Sequence, residues 1–326
     1  MSEDVLDFQK LLSMDPMYDR LWMAGSRTLA TGLFNLPRPT KIEVEGLENL
    51  QNAGLAIIAA NHTHRYDFLP IRYALDAQDI HIVTWVKARD YRSSSRSLIL
   101  SKMGNVPIAS RGYLICADFA GEFGRAPTEE EYRQLRDHVD VGFEADPALL
   151  AGLLRQRSVM GSTADPSQLG YAGAIRQAYY EFMMATLGKA RIARDAGRHV
   201  QIYPQGATSS QLTPGKNGAV QAAIALDLPI VPVGISGCRA VFKGPTPVSR
   251  GGLINIRFGE PIELAREALP ADFRPYHPED EDTHRPLLTD WTQNVMERIA
   301  ELCEPDCRWA PDLKSDAKQG IARFFA

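Results

Sequence analysis

The run Leu55-Ala-Ile-Ile-Ala-Ala60, bounded by Gly54 and Asn61, constrains this chain more than any other stretch. A short unbroken apolar run between turn-forming neighbours reads as a strand buried on both faces, and such strands belong to sheets covered by helices. Directly at its end come His62, His64 and Asp67, and Phe68-Leu-Pro-Ile-Arg-Tyr-Ala-Leu75 then reads as a helix. Polar groups between the C-terminal end of a buried strand and the next helix lie where open α/β sheets keep their chemistry. From these residues alone three readings stand. His62 is a general base whose tautomer Asp67 fixes, or His62 and His64 are a His-x-His metal pair, or the histidines only cap the helix.

The same rhythm recurs along the chain. Lys41–Glu45 alternates apolar and polar residues as a half-exposed strand does, and His81–Lys87 reads as a buried one. Val106–Ser110, His199–Tyr203, Pro229–Ser236 and Leu253–Phe258 add four more, with helices expected over Ser93–Met103 and Gly218–Leu226. A closing helix carries Trp291, Val295, Ile299 and Leu302 on one face. Strands alternating with helices imply a layered α/β sandwich. The prolines at 107 and 232 argue for edge strands, bulges or irregular pairing. Between 112 and 198 the strand pattern stops. Thr128–Val139, Asp146–Arg157 and Leu169–Ala196 read as helices, capped at Thr128 and Asp146, so this block is a helical insertion or lid. Pro270–Arg285 is expected to be a surface loop.

Residues 3 to 36 read as two helical stretches closed by Leu36-Pro-Arg-Pro39, which divides the chain into an N-terminal helical segment, 1–40, and an α/β domain, 41–326. The segment Leu21–Phe34 is apolar with a single Arg and suits either packing on the domain or lying in a membrane interface. No run approaches the ~18 apolar residues that span a bilayer, and the acidic start has no signal-peptide pattern. Lys and Arg number 36 against 40 acids, a net charge of -4, so no nucleic-acid footprint is visible and no nucleic-acid partner is expected. Four scattered cysteines, at 116, 238, 303 and 307, fit free thiols in a reducing compartment.

Further signals sit at strand ends. Arg111 follows Gly104-Asn-Val-Pro-Ile-Ala-Ser, Tyr203-Pro-Gln-Gly-Ala-Thr-Ser-Ser210 leaves a strand, and Gly215-Lys-Asn-Gly218 opens a helix. Taken in order with Asn61-His62 and Asp67, they resemble the glycerolipid acyltransferases of the lysophosphatidate (1-acylglycerol-3-phosphate) type. Asn61, His62 and Asp67 match the family's NH-x4-D block, the strand before Arg111 is similar to its second block, and Tyr203-Pro-Gln-Gly206 with Lys216-Asn-Gly218 is similar to the third, usually FPEGTRS then FKxG. Ile230-Val-Pro-Val233 matches the fourth, and Arg257-Phe-Gly-Glu-Pro-Ile262 resembles the family's strand ending. The resemblance covers about Lys41 to Leu264 apart from the insertion.

It implies a mixed, largely parallel central sheet flanked by helices, as in glycerol-phosphate acyltransferases, and transfer of a fatty acyl group in phospholipid biosynthesis. His62 and Asp67 would be the catalytic pair, with Arg111, Gln205, Gly206 and Lys216 on the substrate side. The donor would be an acyl thioester, acyl-CoA or acyl carrier protein, as co-substrate with no further cofactor, and the acceptor a lipid met by a protein peripheral on the cytoplasmic face of a membrane. The chemistry suits the residues. An alcohol has a pKa far above neutrality, so a base must take its proton during attack on the thioester, and a histidine near ~6.5 is matched to that task.

Departures bear on the acceptor. Gln205 stands where the family usually has Glu, Ala207 for Thr and Thr208 for Arg, and Arg111 lies one residue further from Gly104 than usual, a shift that along a strand reverses the side a residue faces. With the long insertion, these changes predict an acceptor other than plain lysophosphatidate. Two rivals remain: a non-catalytic acyl- or lipid-binding relative, and a metal-dependent hydrolase using His62 and His64. The second needs further ligands, and among the remaining histidines His81 and His199 begin strands while His277 and His284 lie in a loop, so no metal is expected.

Overall fold

The computed structural model describes residues 5–17, 20–36, 38–244, 246–309 and 320–325, without the side chains of 20–24, 26 and 94–96. The acidic start before Val5, Pro37, and the side chains at the beginning of the apolar Leu21–Phe34 segment therefore lie outside the described residues. Seven strands form one sheet: β1 (Thr40–Glu45), β2 (Ile57–Ala60), β3 (Ile82–Lys87), β4 (Val106–Ile108), β5 (His199–Ile202), β6 (Ile230–Ser236) and β7 (Gly252–Phe258). Their order is β1-β7-β6-β2-β5-β3-β4. β6, β2, β5, β3 and β4 run parallel, whereas β7 is antiparallel to β6 and carries β1 parallel to itself. The sheet is thus mixed and largely parallel, and the C-terminal ends of β2 to β6 share one edge.

The apolar run at β2 is buried on both sides because successive residues face opposite layers. Ile57 and Ala59 join one core with Met183, Leu187, Val220, Val295 and Ile299, and Ile58 and Ala60 join another with Phe34, Leu50, Ile71 and Leu75. The helices, in chain order, are α1 (Phe8–Ser13), α2 (Arg20–Asn35), α3 (Leu47–Asn52), α4 (Phe68–Asp76), α5 (Ser94–Lys102), α6 (Arg111–Phe123), α7 (Glu129–Val141), α8 (Pro147–Ala151), α9 (Pro166–Asp195), α10 (Gly218–Leu226), α11 (Cys238–Val241), α12 (Pro278–Thr283), α13 (Arg285–Leu302) and α14 (Ala322–Phe325). The first core lies under α9, α10 and α13, the second under α2, α3 and α4. Among the described residues no helix is long and apolar enough to cross a membrane.

Proline placement follows the ladder. Pro107 lies on the edge strand β4. Pro232 lies inside the sheet, and irregular pairing accommodates it: β6 meets β7 from Val233 onward, Ile230 bridges Ile262, and between them the Gly259 N–H donates to the Pro232 carbonyl at 2.8 Å. The missing proline N–H falls in that break.

The helical block between β4 and β5 builds a third core. Tyr113, Phe119, Leu135, Val139, Tyr171 and Ile175 pack there together with Leu6 and Leu11 from the start of the chain and Phe324 from its end. α7 opens with a capping box between Thr128 and Glu131. The helix expected over Asp146–Arg157 is only Pro147–Ala151, because the chain leaves it at Gly152 and Arg157 turns inward to a bidentate pair with Asp118, at 2.6 and 2.8 Å. The helix expected from Leu169 starts at Pro166 on an Asp165 cap and is broken at Gly170, whose φ is 67°. The stretch expected as a surface loop, Pro270–Arg285, contains α12 and the buried Tyr276, whose hydroxyl donates to the Gly218 carbonyl.

Candidate active site

β2 ends at Asn61, whose buried side chain replaces the next rung of the ladder. Its amide donates to the Ile235 carbonyl (2.9 Å) and its oxygen accepts the Ile235 N–H (2.7 Å), fastening the strand exit to β6. The next residue is held from the other side. The His62 N–H donates to Gln205 Oε1 at 2.8 Å, and the His62 carbonyl accepts the Ser209 N–H at 2.8 Å. The turn after β5 thereby fixes the backbone of the residue after β2, although 143 positions separate His62 from Gln205.

The chain then curls so that Asp67, at the entry to α4, faces back. Its carboxylate is fully buried and accepts the N–H groups of Thr63 (2.6 Å) and His64 (2.8 Å) and the Thr63 hydroxyl (3.3 Å). The same oxygen that meets both N–H groups lies 3.2 Å from His62 Nδ1. An acceptor oxygen at Nδ1 selects the tautomer with the proton on that nitrogen. Nε2 is then the nitrogen with a lone pair to offer. The imidazole stacks on Tyr203, ring centroids 4.1 Å apart and 20° from parallel. Tyr203 is held in turn: its hydroxyl accepts from Gln201 Nε2 (3.1 Å), whose oxygen accepts the Thr84 hydroxyl (2.8 Å). Burial, with the Asp67 charge nearby, pushes the phenol far above its ordinary pKa, so it stays neutral.

His64 faces elsewhere. Its ring stacks on Phe242, its Nδ1 accepts the Tyr66 N–H (3.4 Å), and burial holds its pKa below the ordinary value against the pull of Asp67. Among the described residues no group of three or more His, Cys, Asp or Glu side chains is placed to hold a metal.

The remaining residues singled out from the sequence separate into two kinds. Gln205 is buried and its polar atoms are spent inside the protein, on the His62 N–H, the Gln211 carbonyl (3.4 Å) and the Thr213 hydroxyl (3.2 Å). Gly206 takes φ +67° and has Lys216 against it: a Cβ there would stand 3.3 Å from Lys216 Cδ and 3.5 Å from Nζ. Lys216 as a residue is exposed, but its ammonium end is crowded by protein, and this burial, then Arg323 and Arg111, lowers its pKa. Arg111 is not on a strand. β4 stops at Ile108, and Arg111 is the first residue of α6, capped by Ser110, so the strand-parity argument from its spacing does not apply. Its guanidinium lies 3.3 Å from Asp140 and 3.9 Å from Glu281, over the Tyr179 ring.

Two groups went unnoticed in the sequence. Tyr203 reads from the sequence as a strand end and the first residue of the third block, with nothing to place its ring on His62. Lys87 ends β3 on the same sheet edge as His62, and its position as the last residue of a buried strand was the available signal. Burial first, then Arg89 and Lys216, brings its pKa down to about 8.

Compared with known proteins, residues 41–126 match the model of the acyltransferase family, a span that runs from β1 through α6 and holds Asn61, His62, Asp67 and Arg111. The chain is also similar to the crystal structure of the 1-acyl-sn-glycerophosphate (LPA) acyltransferase PlsC from Thermotoga maritima, at 14% identity and a TM-score of 0.41, over 86% of this chain and 80% of that one. No curated protein matches the chain.

Proposed function

We propose that the protein transfers a fatty acyl group from an acyl thioester, acyl-CoA or acyl carrier protein, to a hydroxyl of a lysophospholipid-like or other lipid acceptor. The observation that carries this reading is the His62 Nδ1–Asp67 pair at 3.2 Å, with a fully buried carboxylate, inside the family-matched segment. His62 Nε2 takes the acceptor's hydroxyl proton as the oxygen attacks the thioester carbonyl. The tetrahedral adduct expels the thiolate, which receives that proton from the imidazolium. One C–O bond forms, one C–S bond breaks, and no covalent enzyme intermediate is required. Asp67 stabilises the transient imidazolium, and backbone N–H groups at the strand-end turns meet the oxyanion.

Arg111 and Lys216 lie on the substrate side in this reading, with Gln205 and Gly206 shaping the turn between Lys216 and His62. Residues 41–326 act as the acyltransferase domain, with the 112–198 insertion lining the acceptor pocket. The exposed Leu29 and Leu36 at α2 support peripheral contact of the 1–40 segment with the cytoplasmic face of a membrane.

The test is thioester consumption and acyl-lipid formation, followed by mass spectrometry of a lipid extract incubated with a labelled acyl thioester. His62→Ala should lower turnover by about 10²–10⁴-fold, the usual worth of a positioned base. Wild-type turnover no higher than the uncatalysed background, and unchanged in His62→Ala, would replace this reading with that of an acyl-binding protein.

A further inference from the structure

Arg111 lies inside the family-matched span, 41–126, but the groups that hold its guanidinium come from beyond it. Nε is 3.3 Å from Asp140, in the last turn of α7 and so within the helical insertion. Nη2 is 3.9 Å from Glu281 on α12. The guanidinium carbon stands 5.6 Å from the centroid of the Tyr179 ring on α9. Three elements outside the matched span thus close on one arginine.

Both carboxylates are placed by contacts other than Arg111. Arg176 on α9 donates to the carbonyls of Val139 (2.8 Å) and Asp140 (3.4 Å), which fixes the end of α7. The same guanidinium pairs with Asp282 at 3.0 Å, so one arginine ties the insertion to α12 next to Glu281. Glu281 is buried, its N–H donates to the His277 carbonyl (2.8 Å), and Arg285 lies 3.7 Å from its carboxylate. A guanidinium between two such carboxylates is neutralised before any ligand arrives. A phosphate reaching it would have to displace one of them or lie against both, and like charges brought together away from bulk water repel.

We infer that Asp140 and Glu281 are specificity-determining residues: by occupying Arg111 they exclude a phosphate monoester from it and favour an acceptor with an uncharged headgroup, of the monoacylglycerol kind. The naming of an acceptor rests on the acyl-transfer reading, whereas the occupancy of Arg111 does not. Rejection here works through charge already in place and not through shape. A guanidinium free of carboxylates would bind a phosphate through charge-assisted hydrogen bonds, and a paired one has those donors turned elsewhere.

The test uses the full chain in two arms. In the first, glycerol 3-phosphate is titrated calorimetrically, which needs no turnover. Wild type and Arg111→Gln should bind it equally weakly, because the guanidinium removed was already taken. Asp140→Asn combined with Glu281→Gln keeps both shapes and removes both charges, and it should tighten binding about tenfold, as for one charge-assisted hydrogen bond. Adding Arg111→Gln to that pair should cancel the gain. Asp140→Asn alone, at the more exposed carboxylate, should show a smaller gain and serves if the double variant misfolds. In the second arm kcat and KM are measured for monoacylglycerol and lysophosphatidate. Wild type should prefer monoacylglycerol, and the double variant should move the kcat/KM ratio about tenfold toward lysophosphatidate, through KM and not kcat. Absence of turnover on both lipids would remove the acyl-transfer reading, and the calorimetry would still decide whether Arg111 is occupied. Binding lost in Arg111→Gln alone, no gain in either Asp140 variant, or a wild-type preference for lysophosphatidate overturns the inference even if acyl transfer is demonstrated.

Discussion

The Tyr203 ring lies flat against the His62 imidazole, with centroids 4.1 Å apart, while its hydroxyl is anchored to Gln201 on the same strand exit. Asp67 fixes the imidazole through one ring atom only, so rotation about that contact is limited by the stacked face. Tyr203 is therefore a positioning residue. Tyr203→Ala should lower kcat about tenfold with a smaller effect on KM, in keeping with the ~0.5–1.5 kcal/mol of an aromatic pair. Tyr203→Phe, which keeps the stacked face, should stay within about threefold of wild type on the same scale. An equal loss in both variants would assign the role to the hydroxyl instead.

Gln205 makes a prediction that runs against the family pattern. Its oxygen accepts the His62 N–H and its amide faces the Gln211 carbonyl and the Thr213 hydroxyl, all in a buried setting. Gln205→Glu restores the usual family residue but turns a carboxylate oxygen toward the Gln211 carbonyl. One buried acceptor left facing another costs about 1–3 kcal/mol. Thermal or urea unfolding at neutral pH should show the variant less stable than wild type. Equal stability would mean that this turn accommodates either side chain.

The strands and the His62–Asp67 spacing were legible because both are local. A run of apolar residues states its own burial, and five residues are enough for a carboxylate at a helix entry to meet a ring nitrogen. What lay beyond reach was the partnership of distant segments. Nothing near Tyr203 announces that its ring will cover a histidine from another strand. Nothing near Arg323 announces that it will be tied to Arg89 beside β3. Arg111 was placed at a strand end, and Ser110 made it the start of a helix instead. Pro232 was readable as a disturbance in pairing, but whether at an edge or within the sheet depended on where β7 leaves the ladder.

Within the helical insertion, the segment after α8 is held to α6 by the Arg157–Asp118 pair, bidentate and almost closed to solvent, with Asp118 3% exposed. Burial raises the Asp118 pKa while Arg157 opposes the shift. Removing Asp118 takes both short hydrogen bonds from Arg157 and leaves it the longer ion pair to Glu122 at 3.5 Å, so Asp118→Ala should destabilise by about 3 kcal/mol, the low end for a broken buried pair. The double variant Asp118→Leu with Arg157→Met should recover much of that loss. Hydrogen exchange should locate the single variant's opening in α6 and the segment after α8. Uniform exchange across the sheet and the insertion would show that the two cores unfold as one unit.

His199 gives the chain a pH-sensitive point away from the site. It begins β5 buried, its Nδ1 accepts the Ala56 N–H at 3.3 Å, and burial lowers its pKa from 6.5 to about 4. The unfolded chain therefore binds a proton here at a higher pH than the folded one does. The contribution of neutral His199 to stability is fully present above about pH 6.5 and is lost as pH falls from there toward 4, reaching on the order of 3 kcal/mol across the window. Asn at this position offers an acceptor that does not titrate. The stability difference between wild type and His199→Asn, measured by urea unfolding at steps between pH 7.5 and pH 4.5 (range set by the ordinary histidine value of ~6.5), should shift steadily in favour of the variant as pH falls. Because carboxylates titrate alike in both proteins, they cancel in that difference. A gap that stays constant over the whole range would mean that His199 carries the same proton in both states.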